Sequence, residues 1–86
     1  MRFLPMKTKN GNNAKNQYKV FDNEGIHFYS YGSRIASIRR DALLTLYNPY
    51  WDMYSQTTNY YLLQFSGEDS IKEIRKKVIS GDYKVV

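Results

Sequence analysis

The feature that most restricts this chain is a change of period at Asn48 and Pro49. Before it, short runs rich in β-branched and aromatic residues alternate with turn-forming residues; after it, apolar residues recur at spacings of three and four. "YKVFD" (18–22) leads through "NEG" (23–25), where Gly25 accepts a positive φ cheaply, into "IHFYSY" (26–31). Gly32 and Ser33 punctuate, "RIASIR" (34–39) is a third candidate strand, Arg40 and Asp41 sit at the next turn, and "ALLTLY" (42–47) is a fourth. Pro49 ends the strand region, because it cannot donate to a ladder and restricts the residue before it.

From Ser55 the pattern suits a helix: Ser55 is an N-cap, Thr58, Tyr61, Leu62 and Phe65 share one face, and Gly67 follows the end. A second helix is signed by Ser70 with Glu73 at capping-box spacing, by the stripe Ile71, Ile74 and Val78, and by Gly81. Glu73 and Lys77 are spaced for an ion pair along it. The closing "YKVV" (83–86) adds an edge strand. The expectation is an α+β fold, an antiparallel meander of four to five strands followed by two short helices packed on one face.

A chain of 86 residues sustains one core. Residues 7–17, "KTKNGNNAKNQ", offer almost nothing apolar to such a core, so residues 1–16 read as a flexible basic segment ahead of a single domain over 17–86. The net charge of +5 matches the excess in residues 1–20, where Arg2, Lys7, Lys9, Lys15 and Lys19 meet no acid. With no cysteine, disulfides, thiolate metal sites and cysteine nucleophiles are excluded. No apolar run is long enough to span a bilayer, and "MRFLPM", too short in its apolar part for a secretory signal, reads as a tail or an edge segment, so no membrane contact and a cytoplasmic location are expected.

Enzyme signatures are missing. His27 is the only histidine, with no pointer in the sequence to a serine nucleophile or a carboxylate that would orient it. Metal sites would have to be built from carboxylates alone, and Asp22 and Glu24 lack a calcium-binding loop around them. The glycines stand singly at turns, not in a phosphate-cradling loop. Neither catalysis nor a cofactor is expected.

Binding chemistry is better represented. Arg34, Arg39 and Arg40 fall close to Tyr29 and Tyr31, and a basic sheet face with aromatics stacks bases and tracks phosphates. Lys7, Lys9 and Lys15 extend that set toward the N-terminus, whereas Lys72, Arg75, Lys76 and Lys77 read as the solvated face of the second helix. In "YNPYWDMY" (47–54), Trp51 is expected in the core and Tyr50 and Tyr54 at a protein interface.

Two stretches carry a resemblance: "SYGSRIASI" (30–38) and "WDMYSQTTNYYLLQFSG" (51–67). Through Tyr31, Ile35, Ala36, Trp51, Asp52, Tyr54, Ser55, Thr57, Thr58, Phe65 and Gly67 the chain resembles short uncharacterised proteins encoded by bacteriophages, prophages and plasmids. Their pattern runs I-A, then W-D-Y-S-x-T-T, then F-L-G; here Met53 stands between Asp52 and Tyr54, and Ser66 replaces the usual Leu. The resemblance implies origin on a mobile element. Together with the basic, aromatic composition it gives the expectation of a small non-enzymatic accessory protein that binds nucleic acid or a host nucleoprotein or defence complex, such as an anti-CRISPR-like inhibitor. The alternative is a protein–protein interaction or assembly module, with a homodimer among its forms, that makes no nucleic-acid contact.

Overall fold

The computed structural model describes residues 2–40 and 43–86 of the chain. Six strands, β1 (Arg2–Lys7), β2 (Asn13–Asp22), β3 (Gly25–Ser30), β4 (Ser33–Arg39), β5 (Leu44–Leu46) and β6 (Lys84–Val85), form one sheet in the order of the chain. Two helices, α1 (Gln56–Ser66) and α2 (Ile71–Ser80), lie between β5 and β6. The first five strands pair antiparallel as a meander; β6 joins β5 in parallel, a pairing that requires the long helical crossover between them. The α+β reading is thus correct. Asp41 and Ala42, of the expected turn and fourth strand, lie outside the described residues.

The segment expected to be a flexible basic arm over 1–16 contains β1 and the start of β2. Its strands are poor in apolar residues because they form the edge of the sheet, where Met6 and Ala14 alone reach the core cluster. The register slips between Pro5 and Lys7, and Asn16 adopts a left-handed conformation, so no clean alternation marks either strand. On the edge, the Gln64 side chain from α1 behaves like a peptide unit. It accepts from the Lys7 N–H (3.2 Å) and donates to the Lys7 carbonyl (2.8 Å), covering part of the outer edge of β1.

Side-chain parity sorts the two faces. Phe28 stacks on Phe65 of α1 at 5.7 Å, and the Ser30 hydroxyl meets that of Thr58 at 2.9 Å, so these residues face the helices. Ala36, Leu44 and Leu46 share that face, and Trp51, Tyr61, Leu62 and Ile74 close the core over them. Each large side chain fully buried here contributes about 1.5–3 kcal/mol of hydrophobic stabilisation. His27 and Tyr29 point to the opposite side, on which no helix packs among the described residues.

Both helices begin and end where the sequence signals. Ser55 accepts from the Thr58 N–H at 3.1 Å and Ser70 from the Glu73 N–H at 3.3 Å, and left-handed Gly67 and Gly81 terminate the two helices. The expected Glu73–Lys77 pair does not form. Glu73 pairs with Lys76 (3.5 Å), while Lys77 donates to Glu68 (2.7 Å), whose carboxylate also accepts from the Tyr83 hydroxyl. A half-buried acceptor that takes two donors from the far end of α2 and from the chain entering β6 outcompetes an exposed pair on the helix surface. These contacts lower the Glu68 carboxyl below its ordinary value, Lys77 foremost, then Tyr83.

Candidate functional site

The sheet face opposite the helices is built from direct cross-strand neighbours. One row runs Pro5, Tyr18, Tyr29 and Arg34 across β1 to β4. The Arg34 guanidinium then lies over the ring of Tyr47, 4.0 Å from its centre. A second row runs Phe3, Val20, His27, Ser37, Thr45 and Lys84 across all six strands. A third pairs Asp22 with Gly25 and Gly25 with Arg39. Within these three rows the cations, Arg34, Arg39 and Lys84, fall on the β4–β6 half, and the rings of Phe3, Tyr18 and Tyr29 on the β1–β3 half.

The middle of the second row is a hydrogen-bonded chain. The Asp22 carboxylate accepts from His27 Nε2 at 2.9 Å, and His27 Nδ1 meets the Ser37 hydroxyl at 2.5 Å. With Nε2–H committed to the carboxylate, a neutral ring accepts at Nδ1 from the Ser37 O–H. His27 thus has the serine and the carboxylate for which the sequence offered no pointer. Ser37, however, is 0% exposed, so in this conformation its oxygen has no path to a substrate. The chain satisfies a buried imidazole. It also holds Asp22 below the usual carboxylate range, chiefly through the His27 hydrogen bond and then the Glu24 N–H, which closes the β2–β3 turn at 2.8 Å.

Tyr47 is the other perturbed group on this face. Burial raises its phenol, but the neighbouring Ser37 hydroxyl, the Arg39 side chain and the charge of Arg34 outweigh that, and its pKa falls below the ordinary tyrosine value. Its oxygen is buried without a well-formed hydrogen bond. Among the described residues no cluster of three or more His, Asp or Glu side chains could hold a metal ion, and no helix is long and apolar enough to cross a membrane.

The residues singled out from the sequence separate into several places. Tyr29 and Arg34 are cross-strand partners and Arg39 shares their face. Arg40 is exposed in the turn beyond β4 and belongs to no row of the sheet. Tyr31, expected beside Tyr29, instead leaves the strand: Tyr31 and Gly32 both have positive φ (51° and 82°), the two central positions of a type I′ hairpin turn. It lines a cleft of about 450 Å³ with Tyr54, Ser55 and Thr57 at the start of α1.

Of the N-terminal lysines, Lys7 donates to the Asn13 side chain and Lys9 lies 5.9 Å from the Tyr60 ring on α1, so these two attend the edge and the helix side. Lys15 is exposed on β2. Tyr50 is exposed in the loop before α1, whereas Tyr54 is half-buried against the core and accepts from Asn48; Trp51 is a core residue. Tyr18, Tyr47 and Lys84 were missed as members of the face. The alternation of Tyr18 with Val20 could have found the first. Lys84 carries no local signal, since its place depends on the parallel pairing of β6.

No curated protein and no solved structure matches the chain significantly. Residues 1–81 match the sequence model of a family of unknown function, DUF8033, and that span includes both strands of the N-terminal hairpin together with the whole uncovered face except Lys84. The chain is a member of the DUF8033 family.

Proposed function

We propose that this chain is a non-enzymatic binding protein that takes nucleic acid, free or within a host nucleoprotein complex, on the sheet face opposite the helices. The observation that supports the reading is the gathering of Arg34, Arg39 and Lys84 on one half of that face, beside the Tyr18–Tyr29 row. Guanidinium and ammonium groups on a sheet suit a phosphate backbone, and neighbouring rings add contact area at little entropic cost. The resemblance of residues 30–38 and 51–67 to phage, prophage and plasmid proteins supports a setting in the host cytoplasm, where the protein would inhibit a defence complex by occupying its nucleic-acid surface, as anti-CRISPR proteins do.

Fluorescence anisotropy of labelled DNA and RNA at several salt concentrations tests this. If the three cations each neutralise one phosphate, log affinity falls with log salt at a slope of about −2 for a single strand, and Arg34→Ala with Arg39→Ala reduces the slope by more than half. Absence of binding at low salt, or binding indifferent to the double substitution, would sink the reading. The competing reading, a protein partner or a second copy, is favoured by the exposed pair Tyr50 and Met53 ahead of α1. It predicts association that is insensitive to salt and lost in Tyr50→Ala.

A further inference from the structure

We infer that the face is built for single-stranded nucleic acid, with unpaired bases entering a groove over β1–β3 and the sugar–phosphate chain following Arg34, Arg39 and Lys84. The inference rests on the polyanion reading above and names its substrate class.

The groove holds about 450 Å³ and is lined by Phe3, Asn16, Tyr18, Val20, Asp22, Tyr29 and Gly32. Its floor is Val20. Its walls are aromatic, and they stay open: Phe3 is 62% exposed and Tyr18 39%, although both are large enough to be buried readily elsewhere. Tyr18 and Tyr29 are direct cross-strand neighbours, about 5 Å apart in the sheet, and Tyr29 is in turn the neighbour of Arg34. A ring-stacking position and a phosphate position are therefore one strand apart. That separation suits a nucleotide, whose base and phosphate are held apart by the sugar.

The charge pattern distinguishes one strand from two. No lysine or arginine lines the groove, and its charged member is Asp22, a carboxylate fixed by hydrogen bonds from His27 and the Glu24 N–H. A duplex carries phosphates along both rims of each of its grooves and hides the faces of its bases. Laid on this sheet, it would press one phosphate row against Phe3, Tyr18 and Asp22 along a groove that no lysine or arginine lines, while the rings would find no base face. A single strand can divide itself, with phosphates toward β4–β6 and about two or three bases toward β1–β3. The Asn16 amide and the Asp22 carboxylate then stand where base edges present donors and acceptors.

The experiment compares four labelled probes at low salt against the whole protein: a single-stranded DNA, an RNA of the same sequence, the corresponding duplex, and a single strand of equal length with abasic sites throughout. Heparin, a polyanion without bases, serves as competitor. The expected result is single-strand binding at least about ten-fold tighter than duplex or abasic binding, with a similar loss in Tyr18→Ala and retention in Tyr18→Phe, which keeps the ring. Because Tyr18 is partly exposed, the Ala variant is checked for an unchanged melting curve, and Phe3→Ala provides a second removal of stacking surface.

Equal, salt-sensitive binding of duplex, abasic strand and heparin would overturn the inference while leaving a polyanion site on the face. Failure of every probe to bind would remove both.

Discussion

Replacing Gln17 with methionine should stabilise this protein. Gln17 lies on β2 opposite Ser30, facing the helices, and is 1% exposed; neither its amide nitrogen nor its amide oxygen has a protein hydrogen-bond partner. Ser30, its cross-strand neighbour, is engaged with Thr58. A buried amide without compensation costs about 1–3 kcal/mol by the measure of mutational data. Methionine has nearly the same length, no branch at Cβ and a polarisable sulfur that adapts to irregular space, so it removes that cost with little change in packing or in side-chain entropy. We expect Gln17→Met to gain about 1–2 kcal/mol and, at about 4–8 °C per kcal/mol for a domain of this size, to raise Tm by about 4–16 °C. Gln17→Ala should fall below Gln17→Met because it opens a cavity in place of the amide. Urea and thermal unfolding can be followed through Trp51, the single tryptophan, which is buried in the same core. A Gln17→Met variant less stable than the parent, with an unchanged denaturant slope, would refute the argument, since it would mean that the amide returns more in hydrogen bonding than it loses in desolvation.

Other expectations follow from single contacts. Ser55→Ala removes the acceptor for the Thr58 N–H and should cost about 1 kcal/mol, read as a Tm lowered by about 4–8 °C. Gly25→Ala should cost about 2 kcal/mol or more, because its φ is +143° and a Cβ would stand 2.2 Å from the Ile38 carbonyl oxygen; a near-neutral melt would contradict the β3–β4 register. Asp22, held low by His27, and Glu68, held low by Lys77 and Tyr83, both have folded pKa values below their unfolded ones near about 4. Their stabilisation is therefore complete above that pH and is lost as pH falls through the depressed folded values, and Asp22→Asn should weaken the acid dependence of Trp51 fluorescence. At the other extreme, Lys77 is raised chiefly by Glu68, and Tyr83 chiefly by its burial and then by Glu68. Their contribution is present below about pH 10 and fades as pH rises through the folded values, which a base titration of Glu68→Gln would show as a smaller loss.

What could be read from the sequence follows the range of the interactions involved. The two helices were readable to within a residue because Ser55, Gly67, Ser70 and Gly81 act on backbone groups within one turn of themselves. The central hairpins were readable because turn residues and alternation are also local. β1 and the start of β2 were not, since an edge hairpin can stay polar when its partner strand and a single glutamine from α1 satisfy it. β6 was not fully readable either: a two-residue strand has no pattern of its own, and its parallel pairing is fixed by helices placed between it and β5.

The candidate site shows the same limit at finer scale, and Ile35 is where it enters. In "RIASIR" Arg34 has the parity of Ala36 and Ile38, which face the helices, so strict alternation would aim its guanidinium into the core. The register instead shifts between Phe28 and Tyr29: Ala36 opposes Phe28, Arg34 opposes Tyr29, and Ile35 is the extra residue, buried in the core. That one inserted residue reverses the parity of everything before it, and Arg34 emerges on the uncovered face against Tyr29 and over Tyr47. The same register leaves Ser37 opposite His27 and so completes the chain from Asp22. A bulge leaves little trace in composition, because an isoleucine is as ordinary in a regular strand as in an irregular one. The sequence therefore showed that arginines and tyrosines lie near one another, but which of them share a face is decided by one residue of register.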